Sequence, residues 1–88
     1  MIKLSDEAAG LIRTLVADSH LPHSAGLRLG TDEDRHSLAM QLEAAPLADD
    51  LVLRHAGALL FVSPLAAPRV EDHTLHAQLQ PRPAFFVD

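Results

Sequence analysis

A β-rich α+β domain with one helix near its start is the fold class this sequence predicts, and three observations predict it. From Ser5 onward, Ala8, Leu11, Ile12, Leu15 and Val16 recur at intervals of three and four, the stripe of an amphipathic helix. Further along, Leu27 and Leu29, then Leu38, Met40 and Leu42, alternate with other residues, the period of strands that bury one face. The run Ala58-Leu59-Leu60-Phe61-Val62 is apolar throughout, which suits a strand covered on both faces. Residues 1–88 are read as a single domain, small enough to bury only about 60 to 65% of the surface its unfolded chain exposes.

Taken in order, Met1 to Leu4 alternates weakly and reads as a short strand. Ser5 is the expected N-cap, with Asp6 and Glu7 in the first turn, where carboxylates meet the positive end of the helix dipole. The third residue after Ser5 is Ala8, so there is no capping box. Gly10 weakens the helix by about 1 kcal/mol relative to alanine unless something packs closely there. Asp18-Ser19-His20 and Pro22 end it. Gly26 to Leu42 is a hairpin whose two strands flank the polar loop Thr31-Asp32-Glu33-Asp34-Arg35-His36-Ser37. A loop with Pro46 and the pair Asp49-Asp50 leads to a strand at Leu51 to His55, a turn at Ala56-Gly57, and the return strand Ala58 to Val62. Ser63-Pro64 reads as the N-cap and first position of a short helix that stops before Pro68. Leu75, Ala77 and Leu79 set a strand over residues 73 to 79, Pro81-Arg82-Pro83 breaks it, and Ala84 to Val87 is the last. The count is about seven strands.

Composition removes several function classes. The formal charge is −5, and the seven Lys and Arg residues are scattered, with no Trp or Tyr to stack on bases. Nucleic-acid binding needs clustered cations and gains from such aromatics, so it is set aside. No apolar run approaches the roughly 20 residues of a membrane-spanning helix, and no basic-then-apolar leader is visible. A cytoplasmic location is the default expectation. There is no cysteine, which rules out a disulfide, a thiolate nucleophile or a thiolate metal ligand in these residues.

The order of the elements and their local sequences resemble the HesB/IscA-like family of A-type iron–sulfur cluster carriers. The residues that carry the likeness are Ile2-Lys3-Leu4-Ser5-Asp6-Glu7-Ala8-Ala9, Gly26-Leu27-Arg28-Leu29-Gly30, Asp49-Asp50, Ala56-Gly57-Ala58 through Ser63-Pro64, Asp72-His73-Thr74-Leu75 and Phe85-Phe86. The resemblance implies a HesB-like pseudobarrel of two mixed sheets, one N-terminal helix, and assembly as dimers or tetramers. Typical members hold iron or a cluster with three cysteines, one after the Gly-Leu-Arg-Leu-Gly strand and two in a Cys-Gly-Cys segment near the carboxyl end. Here His36-Ser37 stands where the family has Cys-Ser, and the sequence ends at Asp88 before a Cys-Gly-Cys segment. Clusters are held by thiolates because sulfide-bridged iron prefers soft anionic donors. A cysteine-less, non-catalytic binding or assembly module is therefore expected, linked to iron–sulfur biogenesis through protein contacts by resemblance alone, with no resident cofactor.

The alternative is a divalent metal ion held by His36 with Asp32 and Asp34, Glu33 adding a further oxygen donor. Against it stands a solvated acidic loop whose Arg35 and His36 offset the carboxylates. Asp32, Asp34, His36 and Glu43 also fall at calcium-hand spacings, but Ser37 occupies the position that needs glycine. His73 and His76 are expected on opposite faces of a strand, and His20 and His23 flank Pro22 in a loop. Ser63 has no nucleophile-elbow sequence around it, so no enzyme is expected. Of Phe85 and Phe86, neighbours on one strand, one should be buried and the other left for an interface, which predicts a homo-oligomer.

Overall fold

Ser5 opens the first helix as its sequence demands. In the computed structural model, which describes residues 1–34 and 36–88, Ser5 Oγ accepts a 3.1 Å hydrogen bond from the Ala8 amide. The helix α1 runs over Asp6–Asp18 and buries Ala8, Ala9, Leu11 and Ile12. Leu15 and Val16 continue the apolar stripe but are only half-buried, Val16 lining an open groove with Leu21 and Ala58. Past Asp18, His20 adopts φ of 57°, its amide donates to the Ala17 carbonyl, and the Leu21 amide reaches back to the Val16 carbonyl. These two bonds form a Schellman termination with a non-glycine residue in the left-handed position.

Among the described residues, seven strands make two mixed sheets. They are β1 (Lys3–Leu4), β2 (Gly26–Thr31), β3 (Leu38–Glu43), β4 (Leu51–His55), β5 (Ala58–Val62), β6 (Thr74–Gln78) and β7 (Ala84–Val87). The larger sheet has the order β3-β2-β5-β4, with β2 and β5 parallel and both outer pairs antiparallel. The smaller has the order β1-β6-β7, with β1 parallel to β6 and β7 antiparallel to it. The fold is thus the β-rich α+β class with two mixed sheets that the sequence predicts.

Burial on both faces of β5 is observed along its whole length. Leu60 and Val62 enter the main core with Leu27, Leu29, Ile12 and Leu75, whereas Phe61, fully buried, points to the other side. Gly26 lets β2 lie against β5 here: a Cβ at this position would come within 2.4 Å of the Leu59 carbonyl oxygen. The β4–β5 turn places Ala56 at φ 49° and Gly57 at φ 81°, two successive left-handed residues as a two-residue hairpin requires.

Two local expectations need correction. The helix expected to begin at Ser63-Pro64 starts later, as α2 (Ala67–Val70). Ser63 instead caps a separate turn, its Oγ accepting from the Ala66 amide at 3.1 Å and its carbonyl from the Ala67 amide at 2.9 Å. Pro68 then sits in the first turn of α2, where a missing N–H is harmless, and so does not end the helix. The strand expected over residues 73 to 79 is shorter, and Leu79 lies outside it, 55% exposed.

Candidate functional site

The β2–β3 hairpin delivers the polar loop to one end of the larger sheet. Its strands are in register from Gly26 opposite Glu43 to Thr31 opposite Leu38, so the loop spans residues 32 to 37. Asp32 closes it: the Asp32 amide donates to the Ser37 carbonyl at 3.0 Å, and Asp32 Oδ1 accepts from the His36 amide at 3.1 Å and the Ser37 amide at 3.4 Å. Arg69 of α2 reaches across, its Nη2 donating to the His36 carbonyl at 2.6 Å. Asp34 and His36 are exposed, as is Glu33. Asp32 and His36 therefore meet through carboxylate and main chain, and Arg35 lies outside the described residues. Among the described residues no three His, Cys, Asp or Glu side chains gather in a metal-binding group.

Behind this loop, on the side of the sheet occupied by Phe61, lies an ion pair that sequence reasoning missed. Arg28 of β2 stands opposite Phe61 of β5 and Gln41 of β3 in the register. Arg28 Nε donates to Asp50 Oδ2 at 2.9 Å and Nη2 to Asp50 Oδ1 at 3.0 Å, a bidentate pairing. The Leu47 amide donates to Asp50 Oδ2 at 3.0 Å. Asp50 has 1% of its side chain exposed and Arg28 19%. The Arg28 hydrogen bonds hold the Asp50 carboxyl below the usual carboxylate range against the opposing effect of burial, and the Leu47 amide adds to the lowering. The pair pins the segment before β4 onto the sheet. The available signal was Arg28 itself, a lone cation between Leu27 and Leu29, followed by Asp49-Asp50.

Among the described residues the remaining histidines form no single cluster. His73 precedes β6 and His76 lies on it, and both reach Asp88: the His73 ring contacts the Asp88 carbonyl and His76 Nε2 lies 3.0 Å from Asp88 Oδ2. The expectation of opposite faces is corrected here, since His73 stands just outside the strand and escapes its alternation. Asp88 also accepts from the Thr74 amide, the leading cause of its lowered pKa, with His76 second. His55 Nε2 lies 2.7 Å from Asp6 Oδ1. His20 ends α1, and His23 lies at the rim of an apolar groove with Arg13. The Ser63 hydroxyl is buried in its turn. Phe85 is half-buried against the core, while Phe86 is 45% exposed and stacked on His76 with ring centroids 5.2 Å apart.

Among solved structures, SufA of Escherichia coli, described as involved in biosynthesis of iron–sulfur clusters, superposes with a TM-score of 0.82. It is 30% identical, over 99% of this chain and 83% of SufA. The chain belongs to the HesB/IscA-like family. IscA with a [2Fe–2S] cluster shares the fold at a TM-score of 0.68 and 16% identity, over 100% of this chain and 84% of that one. A protein from Aquifex aeolicus solved by solution NMR shares it at 0.77 and 18% identity, over 99% and 89% of the two chains. No family model and no curated protein matches the sequence. No thiol occurs in these 88 residues. The carboxylates of the loop are hard donors, one of them already bonded to backbone amides, and a single imidazole beside them does not replace the thiolates that hold an iron–sulfur cluster.

Proposed function

We propose that this chain is a HesB/IscA-like module without cluster chemistry, acting through protein contacts in the process that SufA serves. In this reading it catalyses no reaction, carries no resident cofactor and assembles as a homo-oligomer. The observation that carries the reading is the ligand loop. The family scaffold is retained around a loop with no sulfur donor, closed by Asp32 on its own backbone and clasped by Arg69. Phe86, 45% exposed and stacked on His76, is the aromatic surface that the smaller sheet offers for assembly.

The test is anaerobic incubation with ferrous iron and sulfide, followed by desalting and a visible spectrum. A colourless protein is expected. Cluster absorbance overturns the reading. Bound iron without cluster absorbance, lost in His36→Ala, would replace it by metal binding at Asp32, Asp34 and His36. Light scattering should give a mass above the 9.5 kDa of one chain.

A further inference from the structure

Strand β4 is the outermost strand of the larger sheet and β1 of the smaller, and each has one unpaired edge. A groove of about 360 Å³ lies between them, lined by Ile2, Lys3, Leu4, Leu53, Arg54 and His55. We infer that this groove and the free edge of β4 dock an extended segment of a partner protein in which acidic residues alternate with apolar ones.

The backbone supplies the first argument. His55 pairs with Ala58 across the two-residue turn, so His55, Leu53 and Leu51 exchange hydrogen bonds with β5. By alternation, the N–H and C=O groups of Val52 and Arg54 face away from the sheet, ready to receive a further strand. This edge is also largely apolar. Edge strands are commonly protected by charged side chains, proline or a bulge. Here β4 is in continuous register, has neither proline nor bulge, carries its polar residues Arg54 and His55 only at its end, and leaves Leu51 43% and Val52 53% exposed beside Leu47 at 62%.

Charge selects the occupant. The chain is net −5, yet the groove is flanked by Lys3 and Arg54, neither of which has an ion-pair partner among the described residues, while Asp6 beside it lies 2.7 Å from the lining residue His55. The floor of Ile2, Leu4 and Leu53 is apolar. A strand whose acids meet Lys3 and Arg54 while its alternate side chains cover that floor satisfies both features. A second copy of this chain would bring its own Lys3 and Arg54, like charges in place of acids. This inference rests on the binding-module reading and names its surface.

The test is an NMR titration of the full chain with a blocked heptapeptide alternating glutamate and valine, and with its lysine–valine counterpart. The amides of Leu4, Val52 and Arg54 should shift saturably with the acidic peptide at millimolar concentration, and not with the basic one. Val52→Pro, which removes an outward-facing N–H and breaks no bond to β5, should weaken binding about tenfold. Arg54→Glu should reverse the preference between the peptides, a readout that loss of fold cannot mimic. Absence of saturable shifts at these amides, equal response to both peptides, or the same shifts on raising protein concentration alone would each overturn the proposal. A colourless reconstitution beside a failed titration leaves the module reading intact with its surface elsewhere. A cluster spectrum beside a successful titration removes the module reading and leaves the surface.

Discussion

Asp50 holds a carboxylate with 1% of its side chain exposed, gripped by two bonds from Arg28 and one from the Leu47 amide. Removing one partner of such a pair leaves the other charge desolvated and unmatched. Asp50→Ala should therefore destabilise the fold by roughly 3 kcal/mol, read as a lowered urea midpoint. Replacing both residues, Arg28→Met with Asp50→Leu, should recover most of that loss, because no orphaned charge remains. The pH dependence has a definite sign. The folded-state pKa of Asp50 is depressed, so the unfolded chain binds the proton more readily. The stabilisation is present above the ordinary carboxylate range and is lost as pH falls through the lower folded value. Asp50→Asn should flatten the acid limb of a stability-versus-pH curve; an unchanged limb would show that the pair contributes nothing.

Helix α1 offers two stabilising changes. A Cβ added at Gly10 would meet only Arg13 Nη2, at the ordinary contact distance of 3.7 Å. No close packing offsets the glycine penalty, and Gly10→Ala should raise stability by about 1 kcal/mol. That corresponds to a Tm increase of roughly 4 to 8 °C in a domain of this size. His20→Gly should add about 1 kcal/mol, since φ of 57° strains any residue with a Cβ. Thermal unfolding of both single variants and the double variant checks these values. In the centre of the larger sheet the effect has the opposite sign. Phe61 is fully buried, and Phe61→Ala should cost about 3 to 5 kcal/mol.

At the scale of the whole molecule, what was legible in the sequence had a local period, and what was hidden depended on contacts between distant residues. The stripe of α1, the alternation of β2 and β3 and the apolar run of β5 each record which face is covered, so the fold class could be read. The start of α2 could not, because Ser63 caps a turn in the same way as it would cap a helix. The Arg28–Asp50 pair joins residues 22 apart through sheet geometry, and no spacing rule announces it. In the candidate loop, the sequence shows which donors are present but not that Asp32 turns to the amides of His36 and Ser37 or that Arg69 reaches the His36 carbonyl. Within the described residues no helix is long and apolar enough to cross a membrane.

Whether the family scaffold can hold a cluster depends on the chemistry of that loop. The most direct test is the iron and acid-labile sulfide bound per chain after anaerobic reconstitution and gel filtration. The predicted result is neither above the level of a buffer control, because the 88 residues contain no thiolate. Iron and sulfide in equal, near-stoichiometric amounts would contradict it.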